Sequence, residues 1–223
     1  MSRDDRQSIS ARDAILRAVN LATAKPRKDQ LVERDAGWAA LPRRYRRSSD
    51  CNSEQIFALL IERLIDYDAH IKRVSDSGVS SALGQLLLDL NSKQLLIPSG
   101  FPERWRPANI EAVETDSLDA AALDSFNVVM TTATWGIAET GTLVLTHGHG
   151  QGRRALSLLA DHHICVLRAA DVVSTVSEAF VRLAPASSQP ITFISGPSAT
   201  ADIEMTRIKG VHGPRFLYVV LVD

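Results

Sequence analysis

A chain of 223 residues is long enough to bury a full hydrophobic core, so one globular domain with an N-terminal extension is expected. Its 25 basic and 26 acidic side chains give a net charge of -1, which excludes a global field that would attract nucleic acid or an anionic membrane. The two cysteines, Cys51 and Cys165, exclude an iron–sulfur cluster ligated entirely by this chain's cysteines and also a disulfide framework. The charged start lacks the apolar core of a signal peptide and no run is long enough to span a bilayer, so we expect a cytoplasmic protein without membrane insertion.

The N-terminal residues predict a helix followed by an extended arm. Ser10 and Asp13 resemble a capping box, and apolar residues then recur with helical spacing until a proline intervenes. The stretch 25–50 is charged and contains prolines and a glycine, which is typical of a linker or a wrapping arm. The predicted division is therefore an N-terminal helix and arm over residues 1–50, then one α/β domain over residues 51–223.

The rest of the chain alternates between helical and strand patterns. A strongly amphipathic helix is predicted from Ser53, and further helices are predicted at residues 80–90, 117–123, 154–159 and 172–183. Strands are predicted at residues 71–74, 94–98, 126–130, 137–145, 164–167, 191–194 and 216–222. This alternation predicts a mainly parallel sheet sandwiched by helices.

Three predicted strands end in segments that contain glycine. These segments are residues 139–142, 147–152 and 196–202. Because parallel α/β sheets bind ligands beyond the carboxyl ends of their strands, we expect a polar pocket at this edge of the sheet.

Glu139 is the best single candidate for a catalytic residue. A carboxylate in a glycine turn between apolar runs is expected to be partly desolvated, which raises its pKa toward values useful in acid–base chemistry. The structural alternative is that Glu139 accepts backbone amide hydrogen bonds and holds the turn. Thr140, Gly141 and Thr142 complete the turn as candidate ligand-binding residues.

The segment 145–154 is a candidate anion-binding loop. It passes through three glycines into a predicted helix with a basic first turn, so Gly150 and Arg153 could hold a phosphate or a carboxylate. Its glycine spacing matches neither a P-loop nor a dinucleotide fingerprint, and a plain flexible connection is at least as good an interpretation.

A second candidate anion-binding loop begins at Gly196. The proline that follows could open a helix whose free amides, with the hydroxyls of Ser198 and Thr200, face an anionic group. Asp202 and Glu204 lie close behind, where they could perform acid–base chemistry, bind a metal or stabilise the helix N-terminus. The structural role is slightly favoured.

Neither a metal nor nucleic acid is the favoured ligand. His147, His149 and His212 have no acidic residue at a spacing typical of a zinc or iron site. The basic run 42–47 has a central tyrosine that could stack on a base, but the neutral total charge favours a solvated arm or a subunit contact.

Three motifs together point to a family. They are IAETGT at residues 137–142, GPSATADIE at residues 196–204 and GVHGP at residues 210–214. In order and spacing they resemble the lactate-utilisation protein C family, the LUD domain, and the resemblance covers essentially the whole chain. It implies an α/β fold like that of ribose-5-phosphate isomerase, glucosamine-6-phosphate deaminase and CoA transferases, whose ligands commonly carry phosphate, carboxylate or CoA.

The resemblance also implies membership of a bacterial three-protein system that oxidises L-lactate to pyruvate. Because the redox partners in that system carry the cysteine clusters, it implies an accessory, non-redox component with no intrinsic cofactor, acting with iron–sulfur partner proteins. Whether the chain is itself an enzyme stays open, because the family has no catalytic residues firm enough to transfer. The alternative is a free-standing enzyme or binding protein for a phosphorylated, carboxylated or CoA-linked small molecule, and either hypothesis is compatible with a homo-oligomer.

Overall fold

A computed structural model describes residues 10–23, 28–42, 44–108, 110–115, 118–186, 188–200, 208–210 and 212–223. The chain divides into two compact units, Met1–Tyr45 and Arg46–Asp223. This division lies slightly before the boundary that the sequence predicts at residue 50.

The N-terminal unit contains two helices, α1 (Ala11–Ala22) and α2 (Lys28–Ala40). The first confirms the predicted helix, and the Ser10 side chain caps it by accepting a hydrogen bond from the amide of Asp13. The prediction of an irregular arm is wrong over α2. Its many residues of high helix propensity outweigh the single glycine.

The larger unit contains five further α-helices and twelve strands among the described residues. The helices are α3 (Ser53–Asp66), α4 (Val79–Asp89), α5 (Ala120–Asp124), α6 (Leu156–Leu159) and α7 (Val176–Leu183). The strands are β1 (His70–Val74), β2 (Gln94–Ile97), β3 (Glu111–Glu114), β4 (Val128–Thr132), β5 (Trp135–Ile137), β6 (Thr142–Leu145), β7 (His162–Arg168), β8 (Val172–Val173), β9 (Thr192–Ile194), β10 (Ala199–Thr200), β11 (Ile208–Lys209) and β12 (Phe216–Val222).

Six strands form a parallel sheet in the order β1-β12-β7-β4-β2-β3. Successive residues of β7 face opposite sides, so Cys165 packs with Leu60 and Leu64 of α3, whereas Ile164 packs with Leu83 of α4. Helices therefore cover both faces of the sheet. The structure confirms the predicted α/β architecture.

A second sheet has the strand order β8-β5-β6-β9, in which β6 is antiparallel to both of its neighbours. The prediction of one strand over residues 137–145 is wrong, because the chain reverses between β5 and β6. Gly141 makes this reversal feasible with its φ of 57°. The predicted strand combined two short apolar segments that lie on either side of a turn.

Other boundaries differ by a few residues. The predicted helix 154–159 is a single turn, α6, and the predicted helix 172–183 begins only at Val176. A capping box between Thr175 and Glu178 sets that start, which leaves the preceding valines to form β8. Strand β3 was not predicted, because its short polar sequence lacks the apolar pattern of a buried strand.

Candidate functional site

A cleft of about 210 Å³ lies beside β9, and we name it the motif cleft because two of the sequence motifs line it. The motifs contribute residues 196–198 and 212–214, and the other walls come from the segment 154–158 at the start of α6, from β7, from β9 itself and from Leu217 of β12. The lining residues are Arg154, Ser157, Leu158, His163, Thr192, Phe193, Ile194, Ser195, Gly196, Pro197, Ser198, His212, Gly213, Pro214 and Leu217. Segments far apart in the sequence thus form one polar cleft.

The charge of the motif cleft favours an anion. Arg154 is an always-charged cation, and no carboxylate occurs among the described lining residues. The Arg154 guanidinium donates to Thr192 Oγ1 over 3.2 Å, and this leaves its other N–H groups available. Carboxylates and phosphates match that donor geometry.

His147 also contacts the Thr192 hydroxyl that Arg154 contacts. His147 Nδ1 lies 2.8 Å from the carbonyl oxygen of Gly152, which can only accept, so Nδ1 carries the ring proton. When the ring carries this one proton, His147 Nε2 accepts the Thr192 hydroxyl proton over 2.7 Å. Thr192 is left as an acceptor for Arg154, and His147 acts as a positioning residue.

The glycine loop that carries His147 is internally bonded. Gln151 Oε1 accepts from the amides of Thr146 and His147, at 2.6 and 3.1 Å. The amide of Gly150 donates to the carbonyl of Ser99, so it is not free to bind an anion. The loop is held in place by its own hydrogen bonds. It is neither the flexible connection nor the open anion-binding loop that the sequence suggested.

His163 lies in the wall of the motif cleft and is buried in β7. Its Nε2 lies 2.8 Å from Thr131 Oγ1, and the Thr131 hydroxyl lies 3.8 Å from Cys165 Sγ. Burial lowers the pKa of His163 to about 4 and raises the pKa of Cys165 to about 12. Both side chains are therefore uncharged at neutral pH.

His163 is not among the functional residues that the sequence predicts. The available signal was a histidine within the apolar run of a predicted buried strand, and that pattern occurs commonly in protein cores. Only the structure shows that this ring borders a cleft.

The Glu139 turn lies at the end of the second sheet where β9 also ends, because Leu143 of β6 pairs with Ile194 of β9. Thr142 Oγ1 lies 2.8 Å from Ser195 Oγ, and Thr140 Oγ1 lies 2.7 Å from Thr142 Oγ1. A chain of hydroxyls therefore connects the turn to the motif cleft.

The LUD domain family model matches residues 68–222. This chain belongs to the LUD domain family. It is similar to a protein of Deinococcus radiodurans named "Lactate utilization protein C", with 40% identity over 72% of this chain and 76% of the relative. A protein of Halalkalibacterium halodurans with the same name is 29% identical over 77% of this chain and 81% of that relative.

A solved structure supports the LUD domain fold. The crystal structure of a DUF162 family protein from Deinococcus radiodurans is 34% identical to this chain and superposes with a TM-score of 0.68. The match covers 78% of this chain and 99% of that protein.

Glu139 of this LUD domain is more exposed than its surroundings in the sequence suggested. Its side chain is exposed and forms an ion pair with Arg46, while its amide donates to the carbonyl of Ser174. The expectation of a desolvated carboxylate is wrong, because the turn projects the side chain away from the core. A catalytic role for Glu139 stays a prediction.

At two positions of the LUD motifs the fold requires glycine, because a side chain would clash with the neighbouring backbone. A Cβ on Gly141 would lie 2.9 Å from the backbone carbonyl carbon of Arg63, and one on Gly196 would lie 2.7 Å from the Tyr67 carbonyl oxygen. Both glycines have positive φ, at 57° and 83°. They let the two motif segments pack against the C-terminal end of α3.

The segment after Gly196 is extended where a helix was expected, since β10 pairs antiparallel with β11 over Thr200. No helix N-terminus is formed at Ser198, so the prediction that free helix amides at Gly196 face an anion is wrong. The Ser198 hydroxyl instead accepts from the amide of His212 over 3.3 Å, which joins two LUD motifs. Asp202 and Glu204 lie outside the described residues.

Arg153 and its neighbour Arg154 are both exposed, but they have different contacts. Arg153 donates to the carbonyl of Leu118 and does not line the motif cleft. Because α6 is one turn long, its N-terminus provides neither residue with a helix dipole that would bind an anion.

A second cleft of about 440 Å³ lies at the carboxyl ends of β4 and β7, the position at which parallel sheets commonly bind ligands. Its two arginines are already paired, Arg104 with Asp76 at 3.1 Å and Arg168 with Asp171 at 2.6 Å. We name it the carboxyl-edge cleft. Its charges are balanced, in contrast to those of the motif cleft.

Within the described part of the chain, no group of three or more His, Cys, Asp or Glu side chains could hold a metal ion. No helix in the same residues is long and apolar enough to cross a membrane.

Proposed function

We propose that this LUD domain protein is an accessory, non-redox component of a bacterial L-lactate utilisation system that oxidises L-lactate to pyruvate. The observation that carries the proposal is the similarity, over most of the chain, to relatives named "Lactate utilization protein C". The motif cleft is compatible with this role, since it presents a cation and hydroxyl groups to a small anion.

The cysteine content supports the non-redox part of the proposal. Two cysteines cannot supply the four thiolate ligands that an iron–sulfur cluster commonly requires. Cys165 is buried and Cys51 is exposed, so the two do not form a paired site. We therefore propose that electrons from lactate pass through clusters on iron–sulfur partner proteins.

Growth on L-lactate tests the role directly. A strain that lacks the gene is expected to grow on pyruvate but not on L-lactate as sole carbon source, and the wild-type gene is expected to restore growth. Complementation with Glu139→Gln examines the predicted catalytic carboxylate, with urea unfolding of the purified variant as the control for folding. Normal growth of the deletion strain on L-lactate, in a background without another lactate dehydrogenase, would refute the proposed role.

The partner proposal has a separate test. Affinity purification of the full-length protein from lactate-grown cells is expected to recover cysteine-rich proteins that contain iron and acid-labile sulfide. Repeated purification without such proteins, under conditions that preserve other complexes, contradicts it.

The alternative function is a free-standing enzyme or binding protein for a phosphorylated, carboxylated or CoA-linked small molecule. The motif cleft favours this alternative, because it provides an anion-binding environment without requiring a partner. A ligand that binds the native state raises the melting temperature. Stabilisation by CoA esters, sugar phosphates or other carboxylates, but not by L-lactate, would select this alternative.

A further inference from the structure

Strand β9 lies at one edge of the second sheet. In the order β8-β5-β6-β9 it has β6 on one side, and among the described residues no strand pairs with its other side. We call that other side the free edge of β9. An edge strand presents backbone N–H and C=O groups that can pair with another extended chain.

The pairing of β6 shows which backbone groups lie on the free edge. The carbonyl of Val144 accepts from the amide of Thr134, so the backbone polar groups of Val144 face β5. Because the residues of a central strand alternate between its two neighbours, the residues on either side of Val144 bond to β9. Phe193 lies opposite Val144 and therefore directs its N–H and C=O away from β6. No described backbone group pairs with them there.

The motif cleft runs along the same free edge. Ile194 packs in the core between the two sheets, and Thr192 lies on that side of β9 too, whereas Phe193 lies on the opposite face. All three residues line the motif cleft. Since β6 covers the other edge, a cleft that reaches both faces of β9 lies along the free edge.

A pair of exposed aromatic rings lies beside the free edge. The rings of Phe193 and of Phe180 in α7 are stacked with their centroids 5.8 Å apart, and the two residues are 44% and 57% exposed. Single exposed apolar residues are common, but adjacent apolar rings are typical of a surface that binds another protein. Backbone groups ready for pairing and an apolar patch thus occur together.

We propose that the free edge of β9 binds an extended segment of a partner protein as an added strand, with an apolar side chain on the Phe180–Phe193 pair and an acidic side chain at Arg154. The residue opposite Phe193 shares its face, and the residues before and after it point into the cleft, where Arg154 donates to Thr192. An acidic–apolar–acidic pattern therefore fits either direction of the added strand. That the partner belongs to an L-lactate utilisation system rests on the proposed function.

The charge at the free edge favours an acidic partner over a second copy of this chain. Arg154 and His212 line the motif cleft, and no carboxylate occurs among its described lining residues. Pairing of β9 with β9 of a second copy would bring the two Arg154 side chains to one interface around a twofold axis. A segment with carboxylates supplies the complementary charge instead.

Fluorescence polarisation with a labelled peptide tests this docking on the full-length protein. The probe is the blocked heptapeptide Thr-Val-Glu-Phe-Glu-Val-Thr, whose apolar side chains share one face of a strand and whose carboxylates share the other. Replacement of both Glu by Lys is expected to weaken binding at least about tenfold, because like charges then meet at Arg154. N-methylation of the central Phe and the second Glu removes a strand donor in either direction, and at least about fivefold weaker binding is expected.

Two pairs of variants assign the side-chain contacts. Phe180→Ser is expected to weaken peptide binding at least about threefold, because an aromatic contact is lost. Val181→Ser is its matched control, since Val181 is the next residue of α7 and is 75% exposed, but is not in the stacked pair. Arg154→Met is expected to weaken binding about threefold. Arg153→Met, outside the cleft, is expected to stay within about twofold of wild type.

Phe193→Pro tests the added strand itself, because proline removes the outward N–H and leaves the bonding to β6 in place. This variant is expected to lose peptide binding, whereas Phe193→Val keeps the N–H and is expected to retain weaker binding. Urea unfolding of both variants is the control for folding. Hydrogen exchange of the wild-type protein gives a second measurement, since the peptide is expected to slow exchange of the Phe193 amide.

Equal binding of the Glu and Lys peptides would overturn the acidic partner, and equal binding of the N-methylated peptide would overturn the added strand. No saturable binding of the Glu peptide below roughly 1 mM would overturn the docking itself. A wild-type dimer in sedimentation velocity that Phe193→Pro dissociates would identify a second copy as the occupant and contradict the proposal.

Growth of the deletion strain separates this docking from the proposed function. Peptide binding at β9 combined with normal growth on L-lactate refutes the lactate role and supports the docking. Loss of growth on L-lactate without peptide binding supports the lactate role and overturns the docking.

Discussion

His163 makes the stability of the fold depend on pH. Its pKa is lowered from 6.5 to about 4 by burial, so the unfolded chain takes up a proton at a higher pH than the folded chain. The contribution of His163 to the free energy of unfolding is therefore expected to be fully present above about pH 6.5 and to be lost as the pH falls from about 6.5 to 4, by at most about 1.4 kcal/mol per pH unit. His162, whose pKa burial also lowers, acts in the same direction.

Urea unfolding at several values between about pH 7.5 and 5 measures this dependence. In His163→Gln the decrease is expected to be smaller, because the remaining contribution comes from His162. A slope identical to that of the wild type contradicts the assignment to His163.

Gly141 of the LUD motif has a structural role, because the turn requires its positive φ and its close approach to the Arg63 backbone. In Gly141→Ala the free energy of unfolding is expected to fall by more than about 2 kcal/mol, because the residue has positive φ and the new Cβ approaches the Arg63 backbone. Gly148→Ala is the control, since Gly148 has open space around it and no positive φ. Urea unfolding midpoints compare the two variants, and equal midpoints would show that the turn relaxes around a side chain.

At the scale of elements, the hydroxyl contact between Thr142 and Ser195 connects the start of β6 to the end of β9. A double-mutant cycle with Thr142→Val and Ser195→Ala is expected to give a coupling energy of about 0.5–1.5 kcal/mol. Urea unfolding of the four proteins provides the measurement. Additive effects of the two substitutions would mean that backbone pairing alone joins the strands, and Thr140→Val serves as a control that removes the neighbouring hydroxyl.

The two sheets have different roles in the motif cleft. The parallel sheet supplies His163 from the buried strand β7, where packing on both faces holds the ring. The second sheet supplies Thr192 at the start of β9, and the LUD motifs supply the segments that follow β9 and precede β12. The buried parallel sheet thus positions His163, and the smaller second sheet positions Thr192.

At the scale of the whole molecule, residues 46–223 are expected to fold without the N-terminal unit. The division into units lies at Tyr45, and all the hydrophobic core clusters identified among the described residues lie within residues 46–223. The free energy of unfolding of the fragment 46–223, measured with urea, is expected to lie within about 1 kcal/mol of that of the full chain.

The fragment 68–223, which begins where the family match begins, is the contrasting control. It lacks α3, whose Leu60 and Leu64 are fully buried in the core of the parallel sheet. Each buried leucine contributes about 2–5 kcal/mol, so this fragment is expected to be unfolded by circular dichroism. A folded fragment 68–223 would contradict the role assigned to α3.

The sequence by itself determined the family and the parallel sheet. Strands covered on both faces are continuous apolar runs, and the runs of β7 and β12 were visible without any knowledge of their neighbours. The motif order was equally visible, because it depends on residue identity and spacing alone. Helix α2 was harder to predict from the sequence, because it has residues of high helix propensity but no apolar stripe along one face.

Only the tertiary structure decided which side chains meet. Glu139 was expected to be desolvated, but Arg46, which is distant in sequence, pairs with it on an exposed turn. His163 and Arg154 face the same cleft because β9 and the loop at Gly196 close against β7 and α6. Local patterns indicate which segments form helices and buried strands, whereas the contacts that make a site depend on long-range packing, which no local pattern contains.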